Sequence, residues 1–104
     1  MTLVDGLPAE SVAAHDRGLA YGDGVFRTLR TRAGAPLWWN DHYATLARDA
    51  AALGIACPDQ KLFESDIARA APPGEGVVRI TLTRGVGPRG YAAPADARPT
   101  RIVS

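Results

Sequence analysis

The stretch Asp16–Arg30, DRGLAYGDGVFRTLR, decides how the rest of the chain is read. Gly18, Gly22 and Gly24 relax the backbone ahead of Val25, so its first half reads as a turn-rich lead-in. From Val25 the side chains alternate, with Val25, Arg27 and Leu29 on one side and Phe26, Thr28 and Arg30 on the other. A period of two predicts a half-buried strand. Just before the lead-in, His15, Asp16 and Arg17 form a polar cluster, expected to be a solvated loop with a local ion pair.

Towards the N-terminus, Thr2-Leu3-Val4, the Asp5-Gly6 turn and an apolar stretch around Val12 predict two short strands. In the other direction Ala33-Gly34-Ala35-Pro36 breaks the strand, and Leu37-Trp38-Trp39 resumes an extended run. A β-hairpin is expected there, with Trp38 and Trp39 on opposite sides. Asn40 or Asp41 can cap a helix in which Tyr43, Leu46, Ala47, Ala50 and Leu53 recur at helical spacing before Gly54 stops it. Asp59 can cap a second helix, with Leu62, Phe63, Ile67 and Ala70 on one stripe, Lys61 in its first turn and Pro72-Pro73-Gly74 at its end.

Gly76 to Arg84 alternates again, and Arg84 shares the parity of Val78, Ile80 and Leu82. Its guanidinium should therefore arrive at the end of the strand's inward face. The segment from Arg84 to Pro99 is too rich in glycine and proline for regular structure, and Thr100 to Ser104 begins another β-like run. An ending inside that run is expected to be a truncation. Strands, two helices and strands again predict a single α+β domain over residues 1–104, a largely antiparallel sheet with two helices packed on it.

Composition narrows the function. Of 104 residues 46% are hydrophobic, yet none of the apolar runs approaches the ~20 residues that cross a bilayer. The formal net charge is +1, from scattered arginines and the single Lys61, which argues against bulk attraction to nucleic acid. One cysteine, Cys57, cannot form an internal disulfide, and the chain opens without a secretory leader, so a soluble cytoplasmic protein is expected. His15 and His42 have no carboxylate or thiol at metal-ligand spacing, so no metal site is expected. YGDG leads into a strand with no following Lys-Ser/Thr, which favours a structural turn over a phosphate loop. The stronger constellation is RGVGPRGY, where Arg84, Arg89 and Tyr91 stand on a glycine-relaxed loop; arginine forks match carboxylates, and a tyrosine hydroxyl completes such a cradle.

DRGLAYGDGVFRTLR, DHYATLARDAAALGI and TRGVGPRGY, in this order, resemble the N-terminal small domain of class IV (fold-type IV) pyridoxal-phosphate enzymes. That family includes branched-chain and D-amino-acid aminotransferases and 4-amino-4-deoxychorismate lyases, and YGDGVF with the RGY ending is most similar to the lyases. The resemblance implies formation of 4-aminobenzoate and pyruvate from aminodeoxychorismate for folate synthesis, by a homodimer acting on a small carboxylate substrate; the alternative within the family is amino transfer from a D- or branched-chain amino acid. It places Arg89 and Tyr91 on the substrate carboxylate, Arg84 bracing the loop or adding charge, and Tyr21 near the pocket wall. The Schiff-base lysine of the family lies beyond residue 104 and Lys61 does not match it, so the chain by itself is expected to be inactive, with no catalytic residue and no bound cofactor. The family's phosphate-gripping arginine falls at Thr45, three residues after His42. Either Arg48, one turn further along the same face, reaches back to replace it, with His42 as support, or the chain is a non-catalytic relative that holds the cofactor weakly or not at all.

Overall fold

The structure, a computed structural model, describes residues 1–87 and 98–104. Its frame is a pair of nine-residue strands, β3 (Gly24–Arg32) and β5 (Glu75–Thr83), paired antiparallel from Gly24 opposite Thr83 to Arg32 opposite Glu75. The alternation read in both segments sets which side is buried: Leu29, Thr31, Val78, Ile80 and Leu82 face a layer of helices, while Phe26, Arg30, Val77 and Arg79 face outwards. Two hairpins flank the frame. β1 (Leu3–Val4) and β2 (Leu7–Pro8) join through Asp5 and Gly6, and the two-residue β4 (Ala35–Pro36) joins β3 through Ala33 and Gly34. All four turn residues have positive φ, the requirement of a tight hairpin whose twist matches its strands. With β6 (Thr100–Val103) between β1 and β5, the sheet order is β2-β1-β6-β5-β3-β4, antiparallel at every named pairing.

Over the inward face lie α2 (Trp39–Leu53) and α3 (Gln60–Ala70). Leu46 and Ala50 from α2 and Phe63, Ile67 and Ala70 from α3 meet Leu3, Leu29, Val78, Ile80 and Val103 from the sheet. Gly54 ends α2 in the left-handed conformation, and Asp59 accepts from the Lys61 N–H at 2.7 Å to start α3. Tyr43 ties the two helices by donating its hydroxyl to the Pro58 carbonyl at 2.7 Å; burial raises its pKa to about 12 and keeps the donor protonated. The α+β class with a largely antiparallel sheet is therefore as expected.

Three details differ. The glycine-rich lead-in contains a third helix, α1 (Arg17–Tyr21), capped by Asp16 and ended by left-handed Gly22. In the cluster at its start His15 is exposed but Asp16 and Arg17 are not solvated: each is 2% exposed, because α1 packs on the outer face of the sheet with Gly18 against Thr83. Trp38 and Trp39 also leave the hairpin, since the backbone turns left-handed at Trp38 and α2 begins at Trp39. Trp39 is buried among Tyr43 and Phe63 while Trp38 is exposed, so the two tryptophans part company at a helix start instead of along a strand.

Candidate functional site

The first and third motifs of the sequence meet at one carboxylate. Asp23 Oδ2 accepts from Arg17 Nε at 3.0 Å and from Arg84 Nε at 2.7 Å, and Arg84 Nη2 reaches Oδ1 at 3.3 Å. The inward parity of Arg84 carries its guanidinium to the end of α2, where it also donates to the carbonyls of Leu53 and Gly54. A cation at that end of a helix satisfies orphan carbonyls and opposes the helix dipole. The hydrogen bonds from Arg84, followed by those from Arg17, hold the Asp23 carboxyl below its ordinary pKa against the opposing cost of burial.

The backbone repeats the junction. The Arg17 N–H donates to the Gly85 carbonyl at 2.8 Å, the Arg84 N–H to the Asp23 carbonyl at 3.0 Å, and Asp16 bridges to Val86. Gly85 has φ +98°, and a Cβ there would overlap the carbonyl oxygen of Arg98 on the returning leg of the arginine loop. The clasp thus fixes the root from which the RGVGPRGY segment departs. Arg84 is a brace in this arrangement; Arg89 and Tyr91 lie outside the described residues.

Beside the clasp, on the outer face of the sheet, a groove of about 450 Å³ runs between α1 and the strands. Leu19, Phe26, Thr81 and Ile102 give it an apolar floor and wall, and Arg79 lies over the Phe26 ring at 4.2 Å. No carboxylate among the described residues is within ion-pair distance of Arg79. A groove of this lining can hold a flat or apolar body while a cation takes an anionic end. Tyr21 closes α1 near this face, with the Arg17 guanidinium stacked 4.7 Å from its ring centre.

His42, Thr45 and Arg48 lie elsewhere, on α2 at the opposite face of the sheet from the groove. His42 faces Arg27, whose Nε and Nη2 point at its Nδ1 from 3.3 and 3.0 Å. Burial, then the Arg27 charge, push the imidazole pKa down, so it is neutral at pH 7. A guanidinium can only donate, so Nδ1 accepts and the ring proton sits on Nε2. Thr45 is half-buried; the Arg48 side chain is 76% exposed, 3.8 Å from Asp49. The structure therefore places Tyr21 at the end of α1, on the outer side with the loop root, and Arg84 at the C-terminal end of α2; His42, Thr45 and Arg48 stand further up α2 and are not joined to either. Sequence reasoning passed over Arg17, Asp23, Arg27 and Arg79. The alternation groups Arg27 with Val25 and Leu29, and Arg79 with the side opposite Val78, Ile80 and Leu82; a charge in register with an apolar strand face was the available signal at Arg27.

Among the described residues no three metal-ligating side chains gather, and no helix is long and apolar enough to cross a membrane. Comparison with known proteins places these features. The family model described as amino-transferase class IV matches residues 24–104. The crystal structure of 4-amino-4-deoxychorismate lyase from Pseudomonas aeruginosa superposes with a TM-score of 0.90 at 42% identity, covering 100% of this chain and 38% of that one. Aminodeoxychorismate lyase of Vibrio harveyi is 31% identical across 100% of this chain and 39% of its own length. A putative branched-chain-amino-acid aminotransferase of Methanocaldococcus jannaschii is 32% identical across 86% of this chain and 32% of its own. The chain thus spans about two fifths of the length of the lyases it matches, and its sheet and helices are those of their N-terminal region. It belongs to the class IV aminotransferase family, whose members are pyridoxal-phosphate enzymes.

Proposed function

We propose that these 104 residues form the small domain of a pyridoxal-phosphate-dependent aminodeoxychorismate lyase, which converts 4-amino-4-deoxychorismate to 4-aminobenzoate and pyruvate. The observation that carries this reading is the likeness to the Pseudomonas aeruginosa lyase, 42% identical along the whole chain. The groove is consistent with it. A cyclic substrate bearing carboxylates suits an apolar floor at Phe26 with the Arg79 cation at its side, and Arg89 and Tyr91 add carboxylate donors from the loop rooted at the clasp.

The described residues fit one end of the cofactor. The Nε2–H of His42 and the Thr45 hydroxyl are donors suited to a phosphate, with Arg48 further along the helix. The aldehyde end finds no partner: Lys61, the chain's one lysine, is exposed in the first turn of α3, in the helical layer away from the groove. In the proposed whole protein that amine comes from a second domain. The cofactor, when bound, supplies the electron sink. This chain's share is to seat the substrate on Phe26, anchor its anionic end and exclude water with α1 and the loop.

The protein expressed from the complete reading frame tests the reaction. Incubated with aminodeoxychorismate, it should release 4-aminobenzoate and pyruvate in equal amounts. Amino transfer to a 2-oxo acid without pyruvate release would replace this reading with the aminotransferase one that the 32% identity to the Methanocaldococcus jannaschii protein favours.

A further inference from the structure

Arg27 is a half-buried arginine on the helix side of β3 with no carboxylate in ion-pair range among the described residues. Among the described residues its side-chain hydrogen-bond partner is His42, reached through Nε and Nη2. A neutral imidazole accepts a hydrogen bond but does not neutralise a guanidinium, and a cation drawn from water is stable when an anion shares its site. We propose that Arg27 is the cation of a phosphate-monoester subsite on this chain, completed by the Nε2–H of His42 and the hydroxyl of Thr45.

Three observations support the assignment. Because Arg27 occupies Nδ1, His42 is locked with its proton on Nε2, the nitrogen turned from Arg27 and able to donate to a phosphate oxygen. Thr45 is one turn along α2 from His42, so the two side chains are neighbours on the helix surface. Arg48, by contrast, lies about 120° round the helix from His42 at 3.6 residues per turn. It is exposed and next to Asp49. The missing positive charge at Thr45 is thus replaced from the strand beneath and not from the next turn of the helix.

The position also connects with the groove. From Gly24 to Leu29, β3 pairs on one side only, with β5, since β4 covers Thr31 and Arg32 and the Leu37 N–H donates to the Arg30 carbonyl. Phe26 on the groove side and Arg27 on the helix side therefore flank one open strand edge. The natural ligand rests on the reading of the whole protein as a pyridoxal-phosphate enzyme, though not on which reaction it performs.

The 104-residue chain is titrated with pyridoxamine 5′-phosphate, which has no aldehyde to trap Lys61, and with pyridoxamine, while the His42 ring resonances are followed by NMR. The phosphate ester should shift them saturably and pyridoxamine should not. Arg27→Gln should weaken binding at least about tenfold, and Arg48→Gln should leave it within about twofold, as expected for loss of a charge-assisted fork against loss of an exposed arginine. Should Arg27→Gln not fold, Arg27→Lys serves: it keeps the charge without the fork and should bind about threefold or more weakly. The proposal is overturned if no saturable shift occurs, if pyridoxamine acts equally, if the Arg27 variant that folds binds as wild type, or if Arg48→Gln is the variant that loses affinity. The reaction assay on the complete protein is independent of all these outcomes.

Discussion

Asp23→Ala should destabilise the domain by about 3 kcal/mol, the lower end of the range for removing one partner from a buried ion pair, because Asp23 itself is part-buried. Here the loss takes the carboxylate from two cations at once: the Arg17 side chain is 3% exposed and that of Arg84 14%. A domain of this size has a total stability of only about 5–15 kcal/mol. The melting temperature should therefore fall by more than about 10 °C. Combining Asp23→Ala with Arg84→Met should cost less than the sum of the two single changes, because one cation fewer then faces the vacated carboxylate position. Additive losses would show that Asp23 and Arg84 act separately.

The same carboxylate sets an acid dependence. Asp23 has a folded pKa below its unfolded value, so its contribution is complete above the unfolded pKa, near 3.8, and is lost as pH falls through the lower folded value. The gap between wild type and Asp23→Ala should be constant from about pH 5 to 7 and narrow below about pH 4. A gap that held steady into strong acid would mean that the ionised carboxylate is not what joins the motifs.

Gly85→Ala is expected to cost more than about 2 kcal/mol, combining left-handed strain of about 1–3 kcal/mol with a steric overlap. The overlap is with backbone, the Arg98 carbonyl, and cannot be relieved by rotating a side chain. Gly22→Ala is the control: its φ is +67° but a Cβ there meets nothing within 4 Å, so it carries strain alone. Urea unfolding of both variants separates the two contributions. Gly85→Ala should be the more destabilised; equal losses would mean that the loop legs do not close against each other at Gly85.

Where the sequence was legible, periodicity carried the information. The alternations from Val25 and from Gly76 predicted β3 and β5, and the buried side of β5, because each strand has one face under α2 and α3 and an opposite face that is mostly exposed. The Asp59 cap and the Gly54 stop were readable for the same local reason: each satisfies backbone groups within a few residues of itself. What escaped was set by partners far along the chain. Three glycines within seven residues argue for a turn, yet Gly18 is needed because a Cβ there would overlap the Thr83 side chain, and that packing makes α1 possible. Asp16 and Arg17 read as a solvated loop with a local ion pair, whereas Gly85, Val86 and the outer face of the sheet bury them. The family motifs located the junction of Asp23 with Arg84 only as two separate stretches, 61 residues apart. The cations at Arg27 and Arg79 were visible by parity but not by purpose, which needed His42 and Phe26 beside them.

The central claim is that this chain builds the substrate wall, the loop root and the phosphate donors of a pyridoxal-phosphate enzyme, and supplies no amine to the cofactor's aldehyde. The most direct measurement mixes the 104-residue chain with one equivalent of pyridoxal phosphate, removes free ligand by gel filtration, and records the visible absorbance and intact mass with and without borohydride. The account predicts no retained visible absorbance and no stoichiometric borohydride-fixed adduct. A retained band that borohydride abolishes, with one cofactor fixed on Lys61, would contradict it.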